Sequence, residues 1–246
     1  MKLPFIQYLL PGVVAAVLFS ACASGKDGVN KLSKMEKQEG WTLLFNGKTL
    51  DGWHVYNKGK AQSAWIVQDG ELYCRPGVTD VEHGDLLTDQ EYENFELAFE
   101  WKISKEGNSG VFINVQEKAS IPTAWASGPE YQLLEQTHHD YATSEKKRPG
   151  CLYGFAPQKN PVEPRPAGMW NQARIRQMNG KIEFYLNGVL TAEEDFKSPE
   201  WTEKVANSGF KSFPEFGKHT KGRIALQDWA KGIAFRNIKI NLSPES

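Results

Sequence analysis

The chain reads as an all-β protein, an antiparallel β-sandwich in one domain. Three observations carry that expectation: period-two alternation in several short stretches, tight-turn dipeptides between such stretches, and an almost complete lack of helical periodicity. Phe95, Leu97, Phe99, Trp101 and Ile103 fall on one face of an extended segment, with Glu96, Ala98, Glu100 and Lys102 on the other. Val111, Ile113 and Val115 alternate with Phe112, Asn114 and Gln116. Ile182, Phe184 and Leu186 alternate with Glu183, Tyr185 and Asn187, after which Asn187-Gly188 suits a two-residue hairpin whose central residues need positive φ. Asp69-Gly70 separates Trp65-Ile66-Val67 from Leu72-Tyr73 in the same way. Ile224 and Leu226, then Phe235, Ile238 and Ile240, supply two strands near the C-terminus. Only Ser198–Ala206, with Pro199 near its start, fits a short helix. Many short strands with Gly/Pro turns and no βαβ spacing predict antiparallel sheets.

Residues 1–22 read as a lipoprotein signal peptide. Lys2 gives a short basic start, Leu9 to Phe19 an apolar run, and Phe19-Ser20-Ala21 leads into Cys22, the expected lipidation site. An ordinary secretory signal is the alternative. The apolar run, interrupted by Pro11 and Gly12, is shorter than the roughly 20 residues that cross a bilayer. Residues 23–40 are polar and read as a flexible tether, and residues 41–246 as the sandwich domain, catalytic or binding. The expected product is an exported lipoprotein on the periplasmic or cell-surface side of a bacterial membrane, touching lipid only through its anchor.

A formal net charge of −1, from 29 basic and 30 acidic residues, argues against nucleic acid as a partner. Cys74 and Cys151 allow two readings, a disulfide in an oxidising compartment or two separate buried thiols. The 8 Trp, 8 Tyr and 13 Phe are more than a lean core needs and suit a surface that stacks on the apolar faces of sugar rings. Trp41, Phe45, Trp53 and Trp65 read as structural. Long irregular segments at Glu117–Pro129, Gln136–Pro149 and Ala156–Gly168 suit binding loops or lids.

Short pieces along the chain form an ordered set: WTLLFNGKTLDGW at Trp41–Trp53, Asn108-Ser109-Gly110-Val111-Phe112, Glu130-Tyr131-Gln132, Trp170-Asn171, Leu226-Gln227 and Phe235-Arg236-Asn237-Ile238. In this order they resemble the bacterial 3-keto-disaccharide hydrolase family, once a domain of unknown function. The resemblance spans nearly all of the chain after the tether. It implies a concanavalin A-like (lectin/glucanase) jelly roll and action on glycosides whose 3-hydroxyl is already a ketone. Relatives carry Arg where this chain has Asn114, so a charged contact there is not carried over.

Read as residues, Glu130 and Gln132 share one face of a strand, about 6.6–7 Å apart, while Tyr131 and Leu133 point the other way. Glu135 lies where that strand meets the loop bearing His138, His139 and Asp140. Glu135, His138 and His139 are candidate ligands for a divalent ion, since imidazole with carboxylate suits Zn, Mn, Co or Fe. Asn108 and Ser109 precede a flexible glycine and suit hydrogen bonds to a hydroxyl or carbonyl, or simply a turn. Glu100, Tyr153, Trp170, Asn171 and Gln227 complete the expected lining. No nucleophile elbow, phosphate loop or dinucleotide fingerprint is present.

The chemistry implied by the resemblance needs no glycosidase dyad. A C3 ketone acidifies the C2 hydrogen, a base removes it, and the glycosidic oxygen leaves from C1 by elimination, after which water adds. Such a site needs a base (Glu135 or His138), an electrophile for the enolate oxygen (Asn108, Gln132 or a metal) and an acid for the leaving group (Glu130). Two other readings stand beside it: a non-catalytic carbohydrate-binding lipoprotein module, and a conventional glycoside hydrolase using a pair such as Glu100 and Glu130.

Acyl chains contribute about 0.8 kcal/mol per buried CH₂, so a multi-chain anchor on Cys22 would hold the protein to the membrane. A Cys22→Ala variant is therefore expected in the soluble fraction after leader cleavage. Membrane retention of that cleaved protein, measured by fractionation, would mean that the domain itself binds lipid.

Overall fold

The computed structural model describes residues 28–242. The expected signal peptide with Cys22, and the start of the expected tether, lie outside the described residues. Thirteen strands form two antiparallel sheets among the described residues. They are β1 (Trp41–Leu43), β2 (Trp53–Val55), β3 (Trp65–Gln68), β4 (Glu71–Cys74), β5 (Leu86–Thr88), β6 (Phe95–Ile103), β7 (Asn108–Val115), β8 (Glu130–Leu134), β9 (Asn171–Met178), β10 (Lys181–Leu186), β11 (Val189–Asp195), β12 (Arg223–Leu226) and β13 (Ile233–Asn241). The larger sheet runs β11-β10-β9-β6-β13-β4-β3, with β1 also paired to β13. The smaller runs β2-β5-β12-β7-β8. Three short helices, α1 (Lys34–Gln38), α2 (His139–Thr143) and α3 (Pro199–Ala206), lie outside the sheets.

The alternation on β6 does what its pattern predicts. Phe95, Leu97, Phe99, Trp101 and Ile103 are buried, and the four residues between them are half-buried on the outside. They meet Val111, Ile113, Tyr131 and Leu133 of the smaller sheet. Tyr131 spans the layer: its ring lies 5.9 Å from Phe99 and 5.1 Å from Phe184, and its hydroxyl donates to the Tyr185 carbonyl at 2.9 Å. A phenol this deep needs such an acceptor, since an unpaired buried hydroxyl is costly.

The expected hairpins form with positive φ at both central residues, at Asp69-Gly70 and Asn187-Gly188, and Asn179-Gly180 makes a third between β9 and β10. The Ser198 hydroxyl caps α3 at the Trp201 amide, 3.0 Å away, with Pro199 in the first turn.

Two bulges depart from strict alternation. Phe235, Ile238 and Ile240 are all buried because Asn237, at φ 53°, adds a residue where the register shifts between Arg236 and Lys239. Asn114, at φ 59°, does the same on β7. Val115 consequently joins the outward cluster and not the face of Val111 and Ile113, which corrects the expected pattern. The expected tether also needs correction. At Asn30 the chain is already docked: the Asn30 amide nitrogen donates to the Asn237 side chain at 2.6 Å, and the Asn237 amide donates back to Asn30 at 2.8 Å. A capping box at Ser33 and Glu36 then starts α1, and Glu36 pairs with Lys239.

Cys74 and Cys151 are free buried thiols, so the disulfide reading is set aside. Cys74 donates to Asp228 at 3.2 Å, and burial pushes the Cys151 thiol up to about 12.

The smaller sheet differs from the larger in having both faces buried. Phe112, Val115, Leu87 and Ala225 form a second apolar cluster on its outward face, closed by Tyr56, Ala124 and the half-buried Trp125. β8, at the edge of this sheet, is buried along its whole length, with residues 150–153 hydrogen-bonded to it.

Asn237→Ala removes both the side-chain clamp and a residue suited to positive φ. A loss of about 1–2 kcal/mol is expected in the denaturant midpoint, with Asn237→Gly losing less because glycine keeps the backbone conformation. Equal losses for the two variants would leave the clamp as the whole effect.

Candidate functional site

Alternation on β8 sends Tyr131 and Leu133 into the sandwich and Glu130 and Gln132 to the outward face. β7 pairs Gly110 with Gln132 and Phe112 with Glu130. The Glu130 carboxyl lies directly over Gly110, where any Cβ would collide with it. That close approach is the local reason for a glycine after Asn108-Ser109.

Glu130 is 9% exposed and Gln132 1%. Burial pushes the Glu130 carboxyl well above the usual carboxylate range, and the charge of Asp85 pushes it further. Asp85 immediately precedes β5 and is 6% exposed. Burial raises its carboxyl to about 7, with Asp228 adding to the rise; hydrogen bonds hold it from going higher. Those donors include the Asp228 amide at 3.1 Å and the Thr123 hydroxyl at 3.5 Å. Asp228 is itself fixed by the Cys74 thiol, by His83 Nδ1 at 2.9 Å and by the Gly84 amide at 3.2 Å. Two coupled buried carboxyls on one sheet face, one of them poised near neutrality, make a candidate acid–base site.

Around them stand mixed donors and acceptors. Gln132 Nε2 donates to Asn108 Oδ1 at 3.1 Å, while Gln132 Oε1 is buried without a partner among the described residues. Gln227 Oε1 is likewise buried and unpartnered, and the Gln227 amide is anchored to the Gly110 carbonyl at 2.9 Å. Residues 150–153 run alongside β8, and the Tyr153 amide donates to the Glu130 carbonyl at 3.1 Å. Burial raises the Tyr153 phenol and Glu130 adds to it, while the neighbouring Lys147 lowers it. The Lys147 ammonium sits 5.8 Å over the Tyr153 ring and 3.0 Å from Asp140 Oδ1, and that hydrogen bond raises it.

Asn108, Glu130, Gln132, Tyr153 and Gln227 thus come together, and Asp85, Lys147 and Thr123 join them unanticipated. Asp85 carried a weak signal: it shares the parity of Leu87 at the head of a fully buried strand, where a carboxylate is out of place unless the outward face is a site.

Other expected residues are placed elsewhere. Ser109 is fully buried and donates to the Gln227 carbonyl at 2.9 Å, so it braces the lining from behind. Glu135, an expected base, is tied down through one oxygen: its Oε2 accepts from the Glu106 amide at 2.8 Å, the Thr137 amide at 3.0 Å and the Thr137 hydroxyl. Burial alone would raise this carboxyl, but those bonds outweigh it and hold it below the usual range. His138, the other expected base, caps α2; its Nδ1 accepts from the Asp140 amide at 3.2 Å. Burial, then its charged neighbours, hold the ring below the usual imidazole value, so it is neutral with its proton on Nε2. It offers a donor and not a base.

Glu100, Trp170 and Asn171 belong to the other side of the sandwich. Glu100 pairs with Arg236 at 2.6 Å on the outward face of the larger sheet. Arg236 and Lys102 lie over the Trp170 ring at 4.1 and 4.6 Å, which occupies it. Asn171 accepts from the Arg165 amide and the Asn187 side chain and ties the β10–β11 turn to β9.

The metal candidates do not fit a cation. His138, His139 and Asp140 can bring one atom each within 4.8 Å of one another. However, Asp140 Oδ1 already takes Lys147 at 3.0 Å and His139 at 3.2 Å, the His138 Nδ1 is used, and Glu135 Oε2 holds three donors. The Lys147 ammonium competes with a cation for the Asp140 carboxylate.

The chain belongs to the family described as the 3-keto-alpha-glucoside-1,2-lyase-like domain, which matches residues 40–241. A curated relative from Bacteroides thetaiotaomicron, named 3-keto-disaccharide hydrolase, is 31% identical over 229 residues, covering 83% of this chain and 79% of the relative. A solved structure from Parabacteroides distasonis, described as a candidate glycosyl hydrolase, superposes with TM-score 0.79 at 31% identity, covering 87% of this chain and 99% of that one. A second from the same organism, described alike, gives TM-score 0.62 at 27% identity over 82% and 98% of the two chains. The sandwich and the family are therefore as the sequence implied.

Because the Glu135 carboxyl is depressed, it contributes stability above the ordinary carboxylate pKa that is lost as pH falls through its lowered value. Glu135→Gln should lower the unfolding midpoint at pH 7 and differ less from the parent protein in acid. A variant equally destabilised at all pH values would contradict this structural role.

Proposed function

We propose that this protein cleaves 3-keto-glycosides, 3-keto-disaccharides among them, by C2 proton abstraction and elimination followed by hydration, a net hydrolysis. The observation that carries the reading is the coupled pair of Glu130 and Asp85 on the outward face of the smaller sheet. Family membership and the relatives' names support a sugar substrate and a hydrolytic outcome.

Asp85, raised to about 7, is the base: its carboxylate is ionised in useful amount near neutrality and is far more basic than an exposed one. It takes the C2 proton, and the C2–H electron pair moves into the C2–C3 bond as the C3 ketone becomes an enolate. Collapse of the enolate forms the C1–C2 double bond and expels the C1 oxygen. Glu130, held protonated by burial, gives that oxygen its proton. Water then adds across C1–C2, its hydroxyl to C1 and a proton to C2, and the carboxyls return to their starting states. Tyr153 and Lys147 supply a phenol and an ammonium for the enolate oxygen. The unpartnered Oε1 atoms of Gln132 and Gln227 are acceptors for sugar hydroxyls, and a substrate that satisfies them removes a cost the free protein carries.

A conventional glycosidase needs one carboxyl firmly ionised opposite its acid. Both members of this pair are raised instead. A mere binding module has no use for two buried carboxyls both held above the usual carboxylate range.

The test is incubation with a 3-keto-glucoside and with its parent glucoside. Release is expected from the ketone and little from the parent; comparable turnover of the parent would sink the reading. Since the base works ionised, kcat/KM should rise with pH through an inflection near 7. Asp85→Asn should remove that limb and lower the rate roughly 10²–10⁴-fold, the usual worth of a positioned acid or base. An unaltered Asp85→Asn enzyme would place the base elsewhere.

A further inference from the structure

Trp229 is 63% exposed, the most exposed large aromatic side chain among the described residues. An exposed indole presents an apolar face with a polar N–H tip, the amphipathic surface on which the C–H face of a sugar ring can stack. The surroundings of Trp229 are those of the site. On one side, the Asp228 amide is bonded to Asp85 and Gln227 is bonded to Gly110 beneath Glu130. On the other, Ala230 pairs with Asn108 through both backbone bonds, 3.1 and 3.2 Å. The backbone carrying Trp229 is thus clamped at both ends to residues that form the acid–base cluster.

The half-buried rings across the sandwich show what an occupied ring looks like here. Trp170 lies under Lys102 and Arg236, Tyr185 under Arg174 at 3.8 Å, and Trp41 under Lys239 at 5.5 Å. No ring or cation among the described residues covers Trp229. Of the other exposed large apolar side chains, Met35 lies on α1, Met169 in the turn before β9 and Leu242 just after β13.

We infer that Trp229 is the platform for the leaving group: it stacks on the C–H-lined face of the pyranose that departs from C1. The inference rests on the proposed reaction for the meaning of "leaving". It makes this chain selective for glycosides whose leaving group carries a ring, disaccharides above simple alkyl glycosides.

The test compares a 3-keto-disaccharide with methyl 3-keto-glucoside, whose leaving group has no ring to stack. Trp229→Ala, a surface change that the fold tolerates, should raise KM for the disaccharide about tenfold, the upper range for one aromatic contact, and leave the methyl glycoside unchanged. Trp229→Phe should recover part of the loss. Equal losses on both substrates, or none on either, overturn the inference. Binding is read separately: saturating unoxidised disaccharide should change the indole fluorescence of the parent protein, and Trp229→Phe should lack that change. If the parent protein cleaves neither ketone, the proposed reaction fails while the fluorescence comparison still decides Trp229. Identical fluorescence responses in the two proteins would then overturn it.

Discussion

The burial of the Glu130 carboxyl against Gly110 is the constraint around which the functional half of the molecule is arranged. A carboxyl on a sheet face would ordinarily stay ionised in water. Here the outward face of the smaller sheet carries an apolar cluster closed by Tyr56, Ala124 and Trp125, and the Glu130 carboxyl beside it is buried. Dehydration favours the neutral form, and a second buried carboxyl, Asp85, reinforces it. The glycine, the apolar cluster and the second acid are all needed at once, and each is supplied by a different part of the chain.

The two sheets of the sandwich solve opposite problems. The larger turns a face of ion pairs to solvent: Glu100 with Arg236, Lys102 with Glu71, Arg174 with Glu96. Such exposed pairs contribute little stability each, and they serve mainly to keep the face wet and occupied. The smaller sheet instead hides its outward face and leaves two glutamine oxygens there without partners among the described residues. Unpaired buried acceptors cost free energy in the resting protein, and a polyhydroxylated ligand is the natural group to satisfy them.

The same comparison accounts for the residues that local pattern placed in the site and the structure did not. Glu135 and His138 sit at the correct loop, yet each is consumed by short-range hydrogen bonds, Glu135 by Thr137 and Glu106, His138 by the amide two residues on. Those bonds hold the Glu135 carboxyl below the usual range, whereas burial raises Asp85 in spite of its own donors. Trp170 has the right chemistry for a sugar platform but is capped by two cations, whereas Trp229, which no motif singled out, is bare. Lys147 pairs with Asp140 beside His138 and His139, and its ammonium competes with a divalent ion for that carboxylate.

What the sequence by itself determined are the features governed by short-range rules. Period two marked β6, β7 and β10; Asp-Gly and Asn-Gly marked the hairpins; Ser198 and Pro199 marked α3. The alternation on β8 placed Glu130 and Gln132 together because neighbours two apart on a strand share a face whatever the fold. The bulges at Asn114 and Asn237 escaped, since an added residue shows only when a partner strand sets the register. Asp85 and Trp229 escaped for a related reason. Their roles depend on which residues share the same outward face, and that follows from β5, β7, β8 and β12 being neighbours in one sheet. Only the tertiary structure decided that Glu100 and Glu130, both strand-borne glutamates in the sequence, stand on opposite outward faces with the whole core between them.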